Sequence, residues 1–374
     1  MPRHQLRPVP EPTPPARPLA ITGDEQLTDQ LGRIAAAAGV DLLVTSDPPV
    51  IRRDYAGAPL IIVGDDLAPV IACAGLPRRA GVLLVGRDLD DGDVWQRGVR
   101  LGAEDVLHLP DHERYLAQRL ADVAEGGGGR GHRVVVVGGR GGAGASTLAG
   151  ALAVTGARAG LATMLVDGDP LGGGIDLVLG EEETGGMRWP ALVDTDGRIS
   201  GQALRAELPR ADAAGVTELA VLSWDRGDLL TVPRPAMRAV LDAGERAHDL
   251  VVVDLPRACD EAGVEALTGA AVTLLLVPAE VRAVAAAGRV LTGLRRVTSR
   301  IQLVVRGPAP SGLPAESIAG SLGLELAGEI SAEPGLAGML DRGQAPPRRR
   351  GPLAAFCAEF VADLVPSPGY GRVA

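Results

Sequence analysis

Arg133–Leu148 reads RVVVVGGRGGAGASTL, and this stretch decides the fold of the larger part of the chain. Its four consecutive valines predict a fully buried strand, and the glycines after them predict a tight turn. From Ser146 onward, Leu148 and Leu152 are spaced like the buried face of a helix. A strand, a glycine-rich loop and a helix in this order direct backbone N–H groups and a helix N-terminus towards one point, where a phosphate group is stabilised.

Two phosphate-binding motifs fit this loop. Gly139–Gly144 has the G-x-G-x-x-G spacing of the dinucleotide fingerprint, and Asp167, which follows the next predicted strand, is placed to accept a ribose hydroxyl. The alternative is a P-loop, in which Gly144–Ser146 corresponds to the Gly-Lys-Ser/Thr end of the motif, although the lysine is absent. The loop alone leaves both interpretations open.

Composition limits the classes of function that remain. The chain has 374 residues, so we expect two or three domains, and with only 2% aromatic residues their cores must be built from alanine, valine and leucine. It contains no lysine, so every basic side chain is arginine or histidine. A net charge of −10 argues against strong nucleic-acid binding, because phosphate neutralisation requires clustered positive charge. The three cysteines have no paired spacing, which indicates a reducing compartment.

Composition also divides the chain into two domains, a linker and two tails. Residues 1–17 are rich in proline and lack an apolar segment, which predicts a disordered tail and not a signal peptide. Domains are predicted at 18–125 and 132–365, joined by a flexible linker at 126–131, and residues 366–374 form the second tail. No run of about 18 apolar residues occurs, so we expect a cytoplasmic protein.

Residues 18–125 predict a doubly wound α/β domain of flavodoxin-like order, because short apolar strands alternate with helical stretches. The predicted strands are 19–22, 42–45, 60–63, 82–85 and 106–107, and the predicted helices are 25–38, 66–74, 93–101 and 112–124.

This domain resembles the CheY-like receivers of response regulators, especially at Gly102–Leu107. A receiver has a phosphoacceptor aspartate after its third strand, a hydroxyl after its fourth and a lysine before its last proline. Asp65 stands near the first of these positions, but Gly86 and Leu109 occupy the other two. The resemblance implies a pseudo-receiver that serves as a docking surface, with Asp65 and Asp66 as ordinary turn or N-cap residues.

Three aspartate-containing motifs follow the glycine-rich loop. Asp167–Pro170 and Asp254–Pro256 each follow an apolar strand, and Gly174–Asp176 lies after the first of them. Aspartate at a strand end beside a phosphate loop can hold Mg²⁺, which prefers carboxylate and water oxygens. The order of these motifs favours the P-loop over the dinucleotide interpretation.

The second domain is predicted to continue as alternating strands and helices. Its strands are predicted near 163–166, 218–222, 250–253, 272–277, 301–305 and 325–327, and its last, core-facing helix at 353–365.

Residues 133–365 resemble the MinD/ParA class of deviant Walker A ATPases, whose loop reads Lys-Gly-Gly-x-Gly-Lys-Ser/Thr-Thr. Arg140–Thr147 aligns with this loop position by position, and the aspartate motifs resemble the switch I and switch II regions of the class. The resemblance implies a P-loop NTPase domain with a mainly parallel sheet, a homodimer, and binding of ATP with Mg²⁺.

The same resemblance assigns roles to individual residues. The nucleotide-binding set is Arg140, Gly141, Gly142, Ala143, Gly144, Ala145, Ser146 and Thr147, the magnesium set is Ser146, Asp167 and Asp254, and Asp169 is the catalytic residue that positions water. Ala145 replaces the lysine that neutralises the β- and γ-phosphates, and Arg140 replaces the signature lysine that crosses the dimer. Arg306 stands where the class tends to have an adenine-reading asparagine. We therefore expect weakened phosphate binding and little hydrolysis.

A receiver-like domain before a MinD-like domain is the layout of the CpaE/TadZ group, which positions pilus machinery, and the lysine-less loop is most similar to that of its septum site-determining members. The resemblance implies a regulator of septum or pilus position, recruited to a septum or pole by protein partners of that machinery. The alternatives are an active ATP-hydrolysing switch and a dinucleotide-binding enzyme. MinD proteins end in a basic membrane-targeting helix, which Pro366–Arg372 cannot form, so no direct membrane anchor is expected.

Overall fold

The computed structural model describes residues 17–86, 93–124, 131–195, 197–211, 219–310 and 312–365. The contacts divide the chain into two compact units, Met1–Gly128 and Gly129–Ala374. Nearly all of the predicted amino-terminal tail, the linker residues 126–130 and the tail at 366–374 lie outside the described residues. The disorder and flexibility expected of these segments remain predictions.

Within the described residues, the first unit contains five strands and five helices. Its strands are β1 (Leu19–Ile21), β2 (Leu43–Thr45), β3 (Ile61–Gly64), β4 (Val82–Gly86) and β5 (Asp105–His108), and its helices are α1 (Glu25–Ala37), α2 (Pro48–Asp54), α3 (Ala68–Cys73), α4 (Val94–Leu101) and α5 (Glu113–Ala124). The strands are parallel and lie in the order β2-β1-β3-β4-β5, as predicted.

The two faces of this sheet each pack against their own apolar core. Leu19, Ile21 and Ile61 belong to the core on one face, while Ala20 and Ile62 belong to the core on the other. Because a parallel sheet with helices on both faces is buried on both sides, its inner strands β1, β3 and β4 are fully buried, almost wholly apolar runs.

Helix α2 is absent from the sequence-based prediction, which has no helix between the second and third strands. It begins with Pro48 and Pro49, and among its seven residues only Ile51 is fully buried. A helix this short with one buried position leaves no apolar periodicity to recognise, although proline at a first helical position is favourable.

The second unit is built around a seven-stranded sheet. Its strands are β6 (His132–Gly138), β7 (Thr163–Asp167), β8 (Leu219–Leu222), β9 (Leu250–Leu255), β10 (Val272–Pro278), β11 (Ile301–Arg306) and β12 (Glu325–Ile330). Its helices are α6 (Ala145–Arg158), α7 (Ile175–Leu179), α8 (Gly201–Glu207), α9 (Arg234–Ala247), α10 (Glu261–Leu267), α11 (Val281–Leu294), α12 (Ala315–Leu322), α13 (Leu336–Leu340) and α14 (Pro352–Leu364). The strands are parallel, in the order β12-β11-β10-β6-β9-β7-β8.

The valine run of β6 explains why this sheet has a core on each face. Val134 and Val136 face one core, which α6 and α14 cover, and Val135 and Val137 face the other. Helix α14 contributes four buried residues, Leu353, Phe356, Cys357 and Val361, which confirms the predicted core-facing helix. No helix within the described ranges is long and apolar enough to cross a membrane.

Candidate functional site

The glycine-rich loop joins β6 to α6 at the carboxyl edge of the sheet. Gly142 and Gly144 have φ values of 68° and 98°, a region of backbone space that favours glycine. At Gly139 the restriction is packing, because an added Cβ would lie 2.8 Å from the Cβ of Ala287 and 2.9 Å from a methyl group of Val277. The glycines therefore let the backbone follow this path and approach the neighbouring elements closely.

The strand order separates the two interpretations of the loop. In the dinucleotide-binding fold, the strand that follows the loop lies directly beside the loop's own strand. Here β9 lies between β6 and β7. As a result, the carboxyl ends of β7 and β9 are adjacent, and Asp167 is the register partner of Asp254. This arrangement favours the P-loop interpretation.

An acidic cavity of about 220 Å³ lies beside the start of α6. Ser146, Asp167, Asp169 and Asp254 all line it, so the structure brings the predicted magnesium and catalytic residues together. The Ser146 hydroxyl donates a hydrogen bond to Asp254. Burial raises the pKa of Asp254 to about 7, and the nearby carboxylates of Asp167 and Asp169 act in the same direction.

Asp167 organises the backbone around this cavity. Its Oδ2 accepts hydrogen bonds from the Ile175 amide, at 2.8 Å, and from the hydroxyl of Ser223, at 2.9 Å, and its Oδ1 accepts one from the Asp169 amide at 3.2 Å. Burial raises the pKa of Asp167 to about 6, against the opposing effect of these hydrogen bonds. Both oxygens are engaged within the chain, so Asp167 fixes the loop after β7 to the residue after β8.

The segment after β7 is fixed at a second point by an ion pair. Asp176 is only 1% exposed, and the guanidinium of Arg226 donates to its two oxygens at 2.8 and 3.2 Å. Arg188 lies 3.8 Å from the same carboxylate. Sequence reasoning missed Arg226, Arg188 and Ser223, because none of them belongs to a motif and each is distant in sequence from its partner.

A second cavity, of about 300 Å³, lies on the other side of the loop. Gly144, Thr147 and Arg306 line it together with Pro308 and Leu336. Adjacent residues on a helix point about 100° apart, so Ser146 faces the acidic cavity and Thr147 faces this mostly apolar one. A nucleotide with its phosphates on the loop would have its magnesium-binding side at the first cavity.

Two side chains of the loop make contacts other than those that the resemblance to the MinD/ParA class implies. Arg140 donates to both carboxylate oxygens of Glu280, at 3.0 and 3.1 Å, within its own chain. Ala145, at the position of the missing lysine, packs its methyl group against the core on the α6 face of the sheet. The loop residues themselves therefore direct no unpaired positive charge at the phosphate position.

The donor set fits magnesium better than a transition metal. In the part of the chain that the structure describes, no three or more histidine, cysteine, aspartate or glutamate side chains are grouped to hold a metal ion. Mg²⁺ is commonly held by one or two protein oxygens together with phosphate and water oxygens. Ser146 and Asp254, joined by their hydrogen bond, provide such a pair.

At the corresponding edge of the first unit, both aspartates are engaged within the domain. Arg97 donates to both oxygens of Asp65, at 2.5 and 2.8 Å. Asp66 accepts hydrogen bonds from the Thr22 hydroxyl and the Gly23 amide, at 2.8 and 2.7 Å, and so fixes the turn after β1. The N-cap alternative is wrong for both aspartates, because α3 begins later, after Leu67, and has no side-chain cap.

Comparisons with known proteins agree with this architecture. A family model described as the Rv3660c-like, CheY-like N-terminal domain matches residues 21–132. The uncharacterized protein Rv3660c of Mycobacterium tuberculosis, strain H37Rv, is 39% identical over 354 residues, which are 93% of this chain and 98% of that protein.

Solved structures resemble the second unit in fold. A ParA family ATPase from Chlorobium tepidum aligns with a TM-score of 0.55 at 16% identity, over 62% of this chain and 99% of that one. The MinC:MinD cell division protein complex of Aquifex aeolicus gives a TM-score of 0.52 at 21% identity, over 64% of this chain and 98% of that one. With a CheY-like amino-terminal domain, a MinD/ParA-like second domain and 39% identity to Rv3660c along nearly its whole length, the chain belongs to the Rv3660c family.

Proposed function

We propose that this protein is a cytoplasmic regulator of septum or pilus position whose MinD-like domain has a degenerate ATP site. One observation carries the proposal. The Ser146–Asp254 pair and the glycine-rich loop meet at the sheet edge as a nucleotide site requires, while Ala145 places a methyl group where the lysine belongs. The loop keeps the means to bind a phosphate and lacks the lysine that assists phosphoryl transfer in the MinD/ParA class.

The remaining groups support weakened binding of ATP with Mg²⁺. Backbone amides of Gly141–Gly144 and the N-terminus of α6 stabilise anions without any charged side chain. Losing one preorganised donor at a transferring phosphate typically slows turnover by about 10²-fold or more. We therefore propose a protein in which the bound nucleotide favours one conformation or a homodimer and is turned over very slowly.

The first unit suits a docking role. Arg97 engages both oxygens of Asp65, so the position that resembles a phosphoacceptor is neutralised within the domain. A domain of this kind, joined by the predicted linker to a dimerising domain, would raise the effective concentration of its partner without new contacts. This layout is the basis for proposing membership of the CpaE/TadZ group and kinship with the septum site-determining protein Ssd.

We propose that the protein binds protein partners of the division or pilus machinery, and that it binds neither DNA nor lipid directly. The Aquifex aeolicus structure is a complex of MinD with MinC, which gives that fold a precedent for a protein partner in cell division. Helix α14 packs its apolar residues into the core, so it offers no apolar face to a membrane. These two points support a protein partner over direct lipid binding, and we propose that residues 18–125 recognise that partner.

A fluorescent fusion that lacks residues 1–125 tests the proposal in cells. The full chain should concentrate at a pole or nascent septum, and changes in its level should alter septum or pilus placement. The shortened fusion should be diffuse, with the Arg296→Gln full-length fusion as a control for a neutral surface change. If the shortened fusion localises as the full chain does, recruitment by the MinD-like domain replaces the docking model.

An active ATP-hydrolysing switch is the second candidate. Asp169 lies in the same cavity as Ser146 and Asp254, which is where a water-positioning carboxylate would be needed. Steady-state phosphate release at the rate of a lysine-containing MinD would favour this candidate.

A further inference from the structure

We propose that Arg257 and Arg306 provide the positive charge that the loop lacks at position 145, and that a ligand with two or three linked phosphates engages both. This inference rests on the nucleotide site of the proposed function and assigns it two binding residues outside the loop. Neither arginine belongs to the loop motif, and their chain positions are far from it and from each other.

Arg306 lies over the end of the loop where α6 begins. It ends β11, and its Nη1 atom is 3.5 Å from the position that a Cβ on Gly144 would occupy. Its side chain lines the 300 Å³ cavity together with Thr147. The Nε atom of Arg306 is buried and has no hydrogen-bond partner among the residues that the structure describes. The Nη1 atom of the same guanidinium lies beside the loop, where it would donate a hydrogen bond to a phosphate oxygen.

Arg257 lies at the opposite end of the loop. It follows the Asp254–Pro256 motif, and its Nη2 atom is 3.7 Å from the position of a Cβ on Gly141. The side chain is exposed and forms no ion pair or hydrogen bond within the described ranges. Arg140 differs, because Glu280 already engages its guanidinium. Arg257 and Arg306 therefore keep their charge available beside the loop.

Their spacing indicates the class of ligand. The amides between Gly141 and Gly144 would hold phosphate, and one arginine lies at each end of this segment. A guanidinium donates two parallel, charge-assisted hydrogen bonds to phosphate oxygens, which an ammonium group cannot do. A single phosphate would reach one of them, whereas a chain of two or three phosphates along the loop would engage both.

Calorimetric titration of the full chain with ATP and Mg²⁺ tests the inference. Because each substitution removes charge-assisted hydrogen bonds to phosphate, Arg257→Gln and Arg306→Gln should each weaken ATP binding by about 10-fold or more. Arg296→Gln is the matched control, since Arg296 is exposed just after the end of α11, and should bind as the wild type does. Adding Ala145→Lys to Arg257→Gln should restore most of the affinity, whereas Ala145→Gln should not.

The possible results distinguish a failure of this inference from a failure of the proposed nucleotide site. If the wild type binds ATP and both arginine variants bind it as tightly as the control, the inference is overturned and the nucleotide site stands. If the wild type binds neither ATP nor ADP at millimolar concentration, the nucleotide site itself fails and the inference fails with it. Ala145→Lys alone is the reference for this rescue: a larger gain from the lysine in Arg257→Gln than in the wild type indicates lost charge, and an equal gain indicates a structural defect.

Discussion

At the scale of single residues, the most informative pair is Asp167 and Asp254, which lie side by side at the ends of β7 and β9. Burial raises the pKa values of these carboxyl groups to about 6 and about 7, from an ordinary value near 3.8. The folded chain therefore binds these protons more tightly than the unfolded chain does. The resulting stabilisation is fully present below about pH 4 and is lost as the pH rises through 6 to 7.

Asp254→Asn should therefore stabilise the nucleotide-free protein at pH 8. Each pKa unit is worth about 1.4 kcal/mol, so we expect a gain of roughly 2–4 kcal/mol in the free energy of unfolding at pH 8 and a much smaller gain at pH 4.5. The same variant should lose the Mg²⁺ dependence of ATP binding, because it removes a charged oxygen ligand. Urea unfolding at both pH values measures the first effect.

The control for this prediction is Asp363→Asn, which removes an exposed carboxylate from α14. It should leave the unfolding free energy nearly unchanged at both pH values. An Asp254→Asn variant equally stabilised at pH 4.5 and pH 8 would show that the buried charge is not the cause.

At the scale of elements, the central strands were predictable because most of them are continuous apolar runs, such as β4, β6, β7 and β9. Parallel strands place their carboxyl ends at one edge, so the meeting of Ser146, Asp167, Asp169 and Asp254 was predictable from their positions alone. Helix α2 was not predictable, because it has one buried residue in seven positions.

Contacts between residues that are far apart in the sequence could not be predicted either. Arg140 meets Glu280 across 140 positions, and Asp176 meets Arg226 across 50. No local sequence pattern marks such pairs, because a single charged residue is most often an ordinary exposed one. For the same reason, Arg257 becomes a candidate binding residue only once its distance from Gly141 is known.

A close contact between β12 and α14 gives a prediction at this scale. A Cβ added at Gly328 would lie 2.8 and 2.9 Å from ring carbons of Phe356, so Gly328→Ala must displace the ring. We expect the free energy of unfolding to fall by roughly 1–3 kcal/mol, the usual cost of overpacking a core. Urea unfolding checks this, with Gly320→Ala in α12 as the control.

Nothing lies within 4 Å of a Cβ at Gly320, so that substitution should be neutral or stabilise by up to about 1 kcal/mol. Replacing Phe356 with leucine should recover part of the loss in the Gly328→Ala variant, because the two positions share one contact. Equal stabilities for the two glycine variants would contradict the packing assignment.

At the scale of the whole molecule, two α/β units of related architecture differ in what their sheet edges offer. The second unit keeps two cavities around its loop, whereas the first engages Asp65 with Arg97. The first unit also lacks, at Gly86 and Leu109, the hydroxyl and the lysine that assist phosphoryl transfer in a receiver.

Small phosphodonors such as acetyl phosphate should therefore leave residues 18–125 unlabelled. The carboxylate of Asp65 is paired, and Gly86 and Leu109 provide neither a hydroxyl nor an ammonium group. Acid-labile incorporation into the full chain, followed by mass spectrometry, measures this. Labelling that is present in the wild type and lost in Asp65→Asn would identify a working receiver.

The central claim is that the protein binds ATP with Mg²⁺ and turns it over very slowly. Titrating the full chain with ATP, with and without Mg²⁺, and measuring phosphate release and molecular size in the same samples tests it most directly. We expect saturable binding that Mg²⁺ strengthens, a shift towards a dimer, and phosphate release about 10²-fold or more slower than that of a lysine-containing MinD run alongside. Phosphate release at a comparable rate, or no binding of ATP at all, would contradict it.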